Sequence, residues 1–111
     1  EGNRVGDIGY AIENFIRSQK YKYGIVEILA GHGVGRAIHE DPYIPNFGKK
    51  GTGDKLVSGM VIAIEPMLNL GTKNLILDKD GYTFRTTDGK NSAHFEHTIL
   101  ITEEGPEVLT K

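Results

Sequence analysis

Only one stretch of this 111-residue chain repeats its apolar residues at helical spacing. Val5, Ile8, Ile12, Phe15 and Ile16 follow one another in steps of one, three and four, with Asp7, Glu13, Asn14 and Arg17 between them. That pattern predicts one amphipathic helix over Val5–Lys20, with Asp7 in its first turn and Lys20 in its last. Everything after it is short and punctuated. Tyr23–Leu29 is a β-rich run, Gly31–Gly35 reads as a glycine-dense turn, and an extended stretch follows, broken by Pro42 and Pro45. Asn46–Ser58 is basic and glycine-rich, most simply a solvated connection. Met60–Leu68 is apolar on both parities, as a strand covered on both faces is. Leu75–Leu77 and Tyr82–Phe84 flank an Asp80-Gly81 hairpin signal. Phe95–Thr102 predicts another strand, and Val108–Leu109 a short last one. The fold class is α+β: a long helix packed on a curved, mainly antiparallel sheet. Residues 1–111 form a single domain with no internal repeat.

Composition narrows the function. Leu, Ile, Val and Phe supply 30 of the 111 residues, above the roughly 20% below which chains tend to stay disordered. The longest apolar run, Met60–Ile64, is far short of the ~20 residues that span a bilayer. Thirteen basic residues against fifteen acidic ones, scattered along the chain, make no electrostatic case for nucleic acid or an anionic membrane. With no cysteine there is no disulfide framework and no thiolate metal site, so a metal here needs His and carboxylate ligands. No secretory leader is visible, which fits a cytoplasmic protein. The chain starts at Glu1 and enters patterned sequence at once, as a piece of a longer protein does.

Two phosphate motifs fail on inspection. Gly48–Lys55 resembles a Walker loop, but Asp54 stands where the lysine belongs and repels phosphate. Gly31 and Gly33 begin a dinucleotide pattern, but Arg36 replaces its third glycine. His39-Glu40 has no second histidine four residues on, and Pro42 disfavours the zincin helix. Four residues fit a plain fold less well. Glu65 ends the apolar run Val61–Ile64, where an ionised carboxylate is costly to bury unless paired or metal-bound. Glu96 precedes an apolar strand and shares a face with Thr98 and Leu100, while His97 shares the other with Phe95 and Ile99. His32 stands between two glycines, and His39 lies seven residues on. Each also has an ordinary structural reading: a strand Glu paired with Arg36 or Arg85, a histidine that merely turns the chain, a solvated strand end holding His94, Glu96 and His97. Taken together, two carboxylates and one imidazole make a hard, oxygen-rich set suited to Mn, Fe, Co or Zn with bridging carboxylates.

These residues sit in recognisable surroundings. Gly31-His32-Gly33-Val34-Gly35-Arg36-Ala37-Ile38-His39-Glu40-Asp41-Pro42, then Ile64-Glu65-Pro66-Met67, then Phe95-Glu96-His97-Thr98 resemble the type I methionine aminopeptidases in order and separation. The similarity runs essentially from Val5 to the end, and Asn46–Gly53 looks like the family's loop. Prolidases and Xaa-Pro aminopeptidases share the fold and the His elements, but usually carry glycine after Glu-Pro and lack the His-Thr. The resemblance implies a pita-bread fold and a dinuclear centre of divalent Co, Mn, Fe or Zn that cleaves the initiator methionine from a nascent polypeptide N-terminus. By position it implies His32, Glu65 and Glu96 as metal ligands, with Glu96 bridging both ions and Glu65 also the general base. It implies His39 as the catalytic histidine at the scissile bond. Tyr82 stands where many members have Trp beside the methionine pocket, and Ile38 where some have Phe.

The family also needs two aspartates and a further histidine from an N-terminal half, and nothing before Val5 supplies them. Asp54, Asp78, Asp80 and Asp88 sit in loop or turn contexts and are not spaced like the missing pair. The resemblance therefore implies the C-terminal half of the enzyme, holding three of five metal ligands and inactive until the missing N-terminal half joins it. An isolated half exposes an apolar face or strand edge, so a homodimer of the fragment is expected. The alternatives are a non-catalytic pita-bread interaction module, against which the three ligand positions argue, or a prolidase-like relative.

Overall fold

The predicted helix forms as α1, Val5–Arg17, in the computed structural model, which describes residues 1–111. It stops three residues earlier than its periodicity suggests. The Ser18 hydroxyl donates to the Phe15 carbonyl at 2.6 Å and the Gln19 amide reaches the same oxygen at 3.1 Å, taking up an acceptor that another helical turn would have used. At the other end, Asp7 accepts from the Arg4 backbone N–H at 2.7 Å.

The glycine-rich loop is more than a solvated connection, which corrects the sequence reading. Val5 N–H donates to the Asp54 carbonyl and Gly6 N–H to the Thr52 carbonyl, both at 2.9 Å, so the loop satisfies donors that the helix's first turn leaves free. Gly51 N–H returns a bond to the Asp7 carboxylate at 2.8 Å, and Gly48 N–H reaches Glu13 at 3.3 Å. Gly9 lies against this segment so closely that a Cβ there overlaps the Phe47 carbonyl. Leu56, near the loop's end, is buried in the core.

Ten short strands follow: β1 Gly24–Ile25, β2 Gly31–Gly33, β3 Glu40–Ile44, β4 Val61–Ile64, β5 Met67–Asn69, β6 Leu75–Leu77, β7 Phe84–Thr86, β8 Ser92–His94, β9 His97–Thr102 and β10 Gly105–Val108. All pairings are antiparallel, in a five-stranded sheet of order β10-β9-β4-β2-β3, a three-stranded sheet β1-β5-β8 and the hairpin β6-β7. The core is Val5, Ile44, Leu56, Ile62, Ile99 and Ile101, with Ile8 and Ile64 packed on it. Ile62 and its neighbour Ala63 are both fully buried, so β4 is covered on both faces as its apolar pattern predicts.

Two expectations are corrected here. Gly31–Gly33 is not a turn but a strand held between β3 and β4. The glycines serve close approach: a Cβ on Gly33 runs into the Asp41 carbonyl, and one on Gly31 into the Ala63 carbonyl. The run Met60–Leu68 is not one strand. It breaks at Glu65-Pro66 and passes from the five-stranded sheet into the three-stranded one, because Pro66 has no N–H for the ladder. Phe95-Glu96 makes the matching break between β8 and β9. Smaller differences lie at element ends: Tyr82 and Thr83 belong to the hairpin loop, where their N–H groups donate to Asp80, and the last strand starts earlier, at Gly105.

Candidate metal centre

The two breaks lie side by side. Ile64 pairs with His97 on one side of them and Met67 with His94 on the other, so the register carries through and sets Glu65 opposite Glu96. Like charges directly across a strand pair are destabilising. One backbone bond, Phe95 N–H to the Pro66 carbonyl at 3.3 Å, spans the breaks. The buried Asn46 amide adds another from the side, donating to the Glu65 carbonyl at 3.3 Å.

His32 arrives from β2. It pairs with Ala63, which pairs in turn with Thr98. Cross-strand partners share a face and side chains alternate, so His32, Glu65 (two after Ala63) and Glu96 (two before Thr98) all project to one side. One ligand atom from each of the three lies within 4.8 Å of the others. A shared cation at about 2.1 Å from each needs only a small closing of the group.

The hydrogen bonds around His32 set its chemistry. Its Nδ1 lies 2.9 Å from the Gly33 carbonyl, which only accepts, so Nδ1 carries a proton. Its Nε2 then faces Glu65 Oε1 at 3.1 Å, both side chains only 13% exposed. That contact is attractive only with a proton or a cation between the two atoms. Partners of metal-bound imidazoles commonly orient the ring in this way, and the Gly33 carbonyl is placed to do so. The donor set, one imidazole and two facing carboxylates, fits a divalent transition metal on its own chemistry.

Neither arginine considered as a partner for Glu65 is its partner. Arg85 pairs with Asp78, whereas Glu65 is bonded to His32 and, through Oε2, to His94 Nε2 at 3.1 Å. His94 is the residue that sequence reasoning left outside the site. The available signal was parity: it stands two before Glu96 on the same face. His97 turns away, its Nδ1 3.0 Å from the Thr110 hydroxyl, so the histidine-rich strand end divides between two surroundings.

His39 is brought in from the loop after β2. Its ring meets His32 edge to face, centroids 4.3 Å apart. Glu40 closes that loop by accepting from Ala37 N–H at 2.8 Å. His32, His39, Glu40, Asp41 and Tyr43 line an open cleft of about 540 Å³ beside the ligand group. Ile38 and Tyr82 are 75% and 85% exposed, Ile38 one residue before His39 and Tyr82 in the β6–β7 loop, and neither lines that cleft.

The chain is similar to several known proteins. The family model of metallopeptidase family M24 matches residues 1–103. A methionine aminopeptidase of Mycoplasma capricolum is 50% identical over 110 residues, 99% of this chain and 43% of that protein. One of Clostridium acetobutylicum is 46% identical over 109 residues, 98% and 43% of the two. The crystal structure of the Thermotoga maritima methionine aminopeptidase superposes with a TM-score of 0.93 at 49% identity, covering 99% of this chain and 43% of that one. A dipeptidase of Pyrococcus horikoshii matches less well, at 0.64 and 27% identity. The chain spans under half the length of these relatives. With residues 1–103 matched by the family model, this chain belongs to metallopeptidase family M24.

Proposed function

We propose that residues 1–111 are the C-terminal part of a methionine aminopeptidase catalytic domain, a metallo-exopeptidase that removes the initiator methionine from nascent proteins. The observation that carries this reading is the convergence of His32, Glu65 and Glu96 on one face, in a chain 46–50% identical to methionine aminopeptidases. On this reading those three side chains would contribute to holding two divalent ions of Co, Mn, Fe or Zn, and the rest of the protein would supply the remaining ligands. When bound, the metal lowers the pKa of water and polarises the scissile carbonyl. Glu65, held through Oε2 by His94, takes the proton from the attacking water. His39, edge to face with His32 at the cleft, donates to the carbonyl oxygen as charge develops there. Ile38 and Tyr82 form part of the methionine pocket once the rest of the protein closes over them. Its place of work is the cytoplasm, where new chains emerge.

The test uses the natural-length protein with Mn(II) or Co(II) and two peptides, Met-Ala-Ser and Ala-Pro-Ser. The proposal expects methionine release from the first and no cleavage of the second, with this chain alone inactive on both. Cleavage of Ala-Pro-Ser instead supports the prolidase-like reading. No cleavage of either overturns the enzymatic one in favour of an interaction module.

A further inference from the structure

Glu65 is the only member of the ligand group with both carboxylate oxygens engaged: Oε1 faces His32 Nε2 and Oε2 faces His94 Nε2, each at 3.1 Å. A free glutamate turns about three side-chain bonds and presents either oxygen in either plane. Contacts on both oxygens restrict that freedom, and the one on Oε2 comes from a residue outside the ligand group. His94 is itself fixed by its place in the sheet, paired with Met67, while Ser92 at the other end of β8 pairs with Asn69 and donates its hydroxyl to the Leu68 carbonyl at 3.3 Å. Its own ring is 47% exposed and stands outside the converging ligand atoms of His32, Glu65 and Glu96.

We propose that His94 is a positioning residue for Glu65. It donates from Nε2–H to Glu65 Oε2, leaving Oε1 aimed toward His32 and thereby setting how tightly and in what geometry the centre takes its cation. This rests on the reading of His32, Glu65 and Glu96 as ligands. Outer partners of ligating groups characteristically govern metal affinity by 10–100-fold. The geometry also names the conservative replacement. The Nε2 of glutamine lies the same number of bonds from Cα as the Nε2 of histidine, and it donates too.

The experiment compares His94→Ala, His94→Gln and His32→Ala in the natural-length protein. It reads Co(II) affinity by calorimetry, the visible spectrum of the Co(II) form, and the melting temperature without metal. The expected result is that His94→Ala weakens Co(II) binding about 10–100-fold and changes the spectrum, that His94→Gln restores most of both, and that all three melt close to the parent. Affinity within twofold of the parent and an unchanged spectrum for His94→Ala overturn the proposal. So does an equal loss in His94→Gln, or a loss that only tracks a lower melting temperature. If His32→Ala keeps full Co(II) affinity, the ligand reading itself fails, which no result on His94 alone can mimic.

Discussion

Glu65 and Glu96 face each other where two strands leave one sheet for another, and the three contacts that hold Glu65 come from two imidazoles and one side-chain amide, none from arginine. Elsewhere some carboxylates pair with arginine, as Glu13 with Arg17 and Asp78 with Arg85, and others are held by backbone N–H groups. The Asp7 carboxyl is held below its ordinary range first by the Arg4 N–H and next by the Gly51 N–H. A carboxyl depressed in the folded state contributes stability that is fully present above its unfolded value and is lost as pH falls through the lowered one. We therefore expect stability to fall as the pH drops below about 4, and Asp7→Asn to be less stable at neutral pH with a shallower decline under acid. Circular dichroism followed from pH 7 downward checks this, and an acid transition identical in slope to the parent contradicts it. At this scale the sequence was informative about residue identity and less so about surroundings. His32, Glu65 and Glu96 stood out because polar groups beside apolar or glycine positions are costly without partners. His94 did not stand out, since its only mark was a shared parity with Glu96, and half-exposed histidines at strand ends are ordinary.

Elements here are positioned by glycine as much as by apolar side chains. Helix α1 rests against the Pro45–Phe47 backbone through Gly9, and strand β2 fits between its neighbours because Gly31 and Gly33 carry no Cβ. Gly9→Ala gains about 1 kcal/mol of helix propensity, but overlap with the Phe47 carbonyl forces the helix outward at a cost of about 1–3 kcal/mol. The expected outcome is a net destabilisation of about 1 kcal/mol, lowering the melting temperature by about 4–8 °C for a domain of this size. An equal or higher melting temperature contradicts the packing described. This explains which parts of the fold were legible. The period of α1 and the double-sided apolar pattern of β4 are side-chain signals, and both were readable. The glycine run reads as a turn because glycine present for conformational freedom and glycine required for close approach look alike in a single sequence. The breaks at Glu65-Pro66 and Phe95-Glu96 were hidden for a related reason: the register continues through them, so alternation does not falter.

Across the whole molecule, the core occupies one face of the five-stranded sheet, against α1, and the candidate centre occupies the other. Strands β3 and β10 are the outer strands of that sheet, each paired along one edge only, and Phe95, 76% exposed, lies beside Glu96. Such edges and apolar groups suit contact with further protein, in keeping with a chain that spans under half the length of its relatives. No helix is long and apolar enough to cross a membrane. The central claim is that His32, Glu65 and Glu96 together hold a divalent metal ion. Native mass spectrometry of the natural-length protein titrated with Mn(II) or Co(II), beside its His32→Ala variant, tests it most directly. The account predicts metal bound by the parent and lost from the variant while both stay folded. Metal retained equally by the variant, or none bound by the parent up to high micromolar concentration, contradicts it.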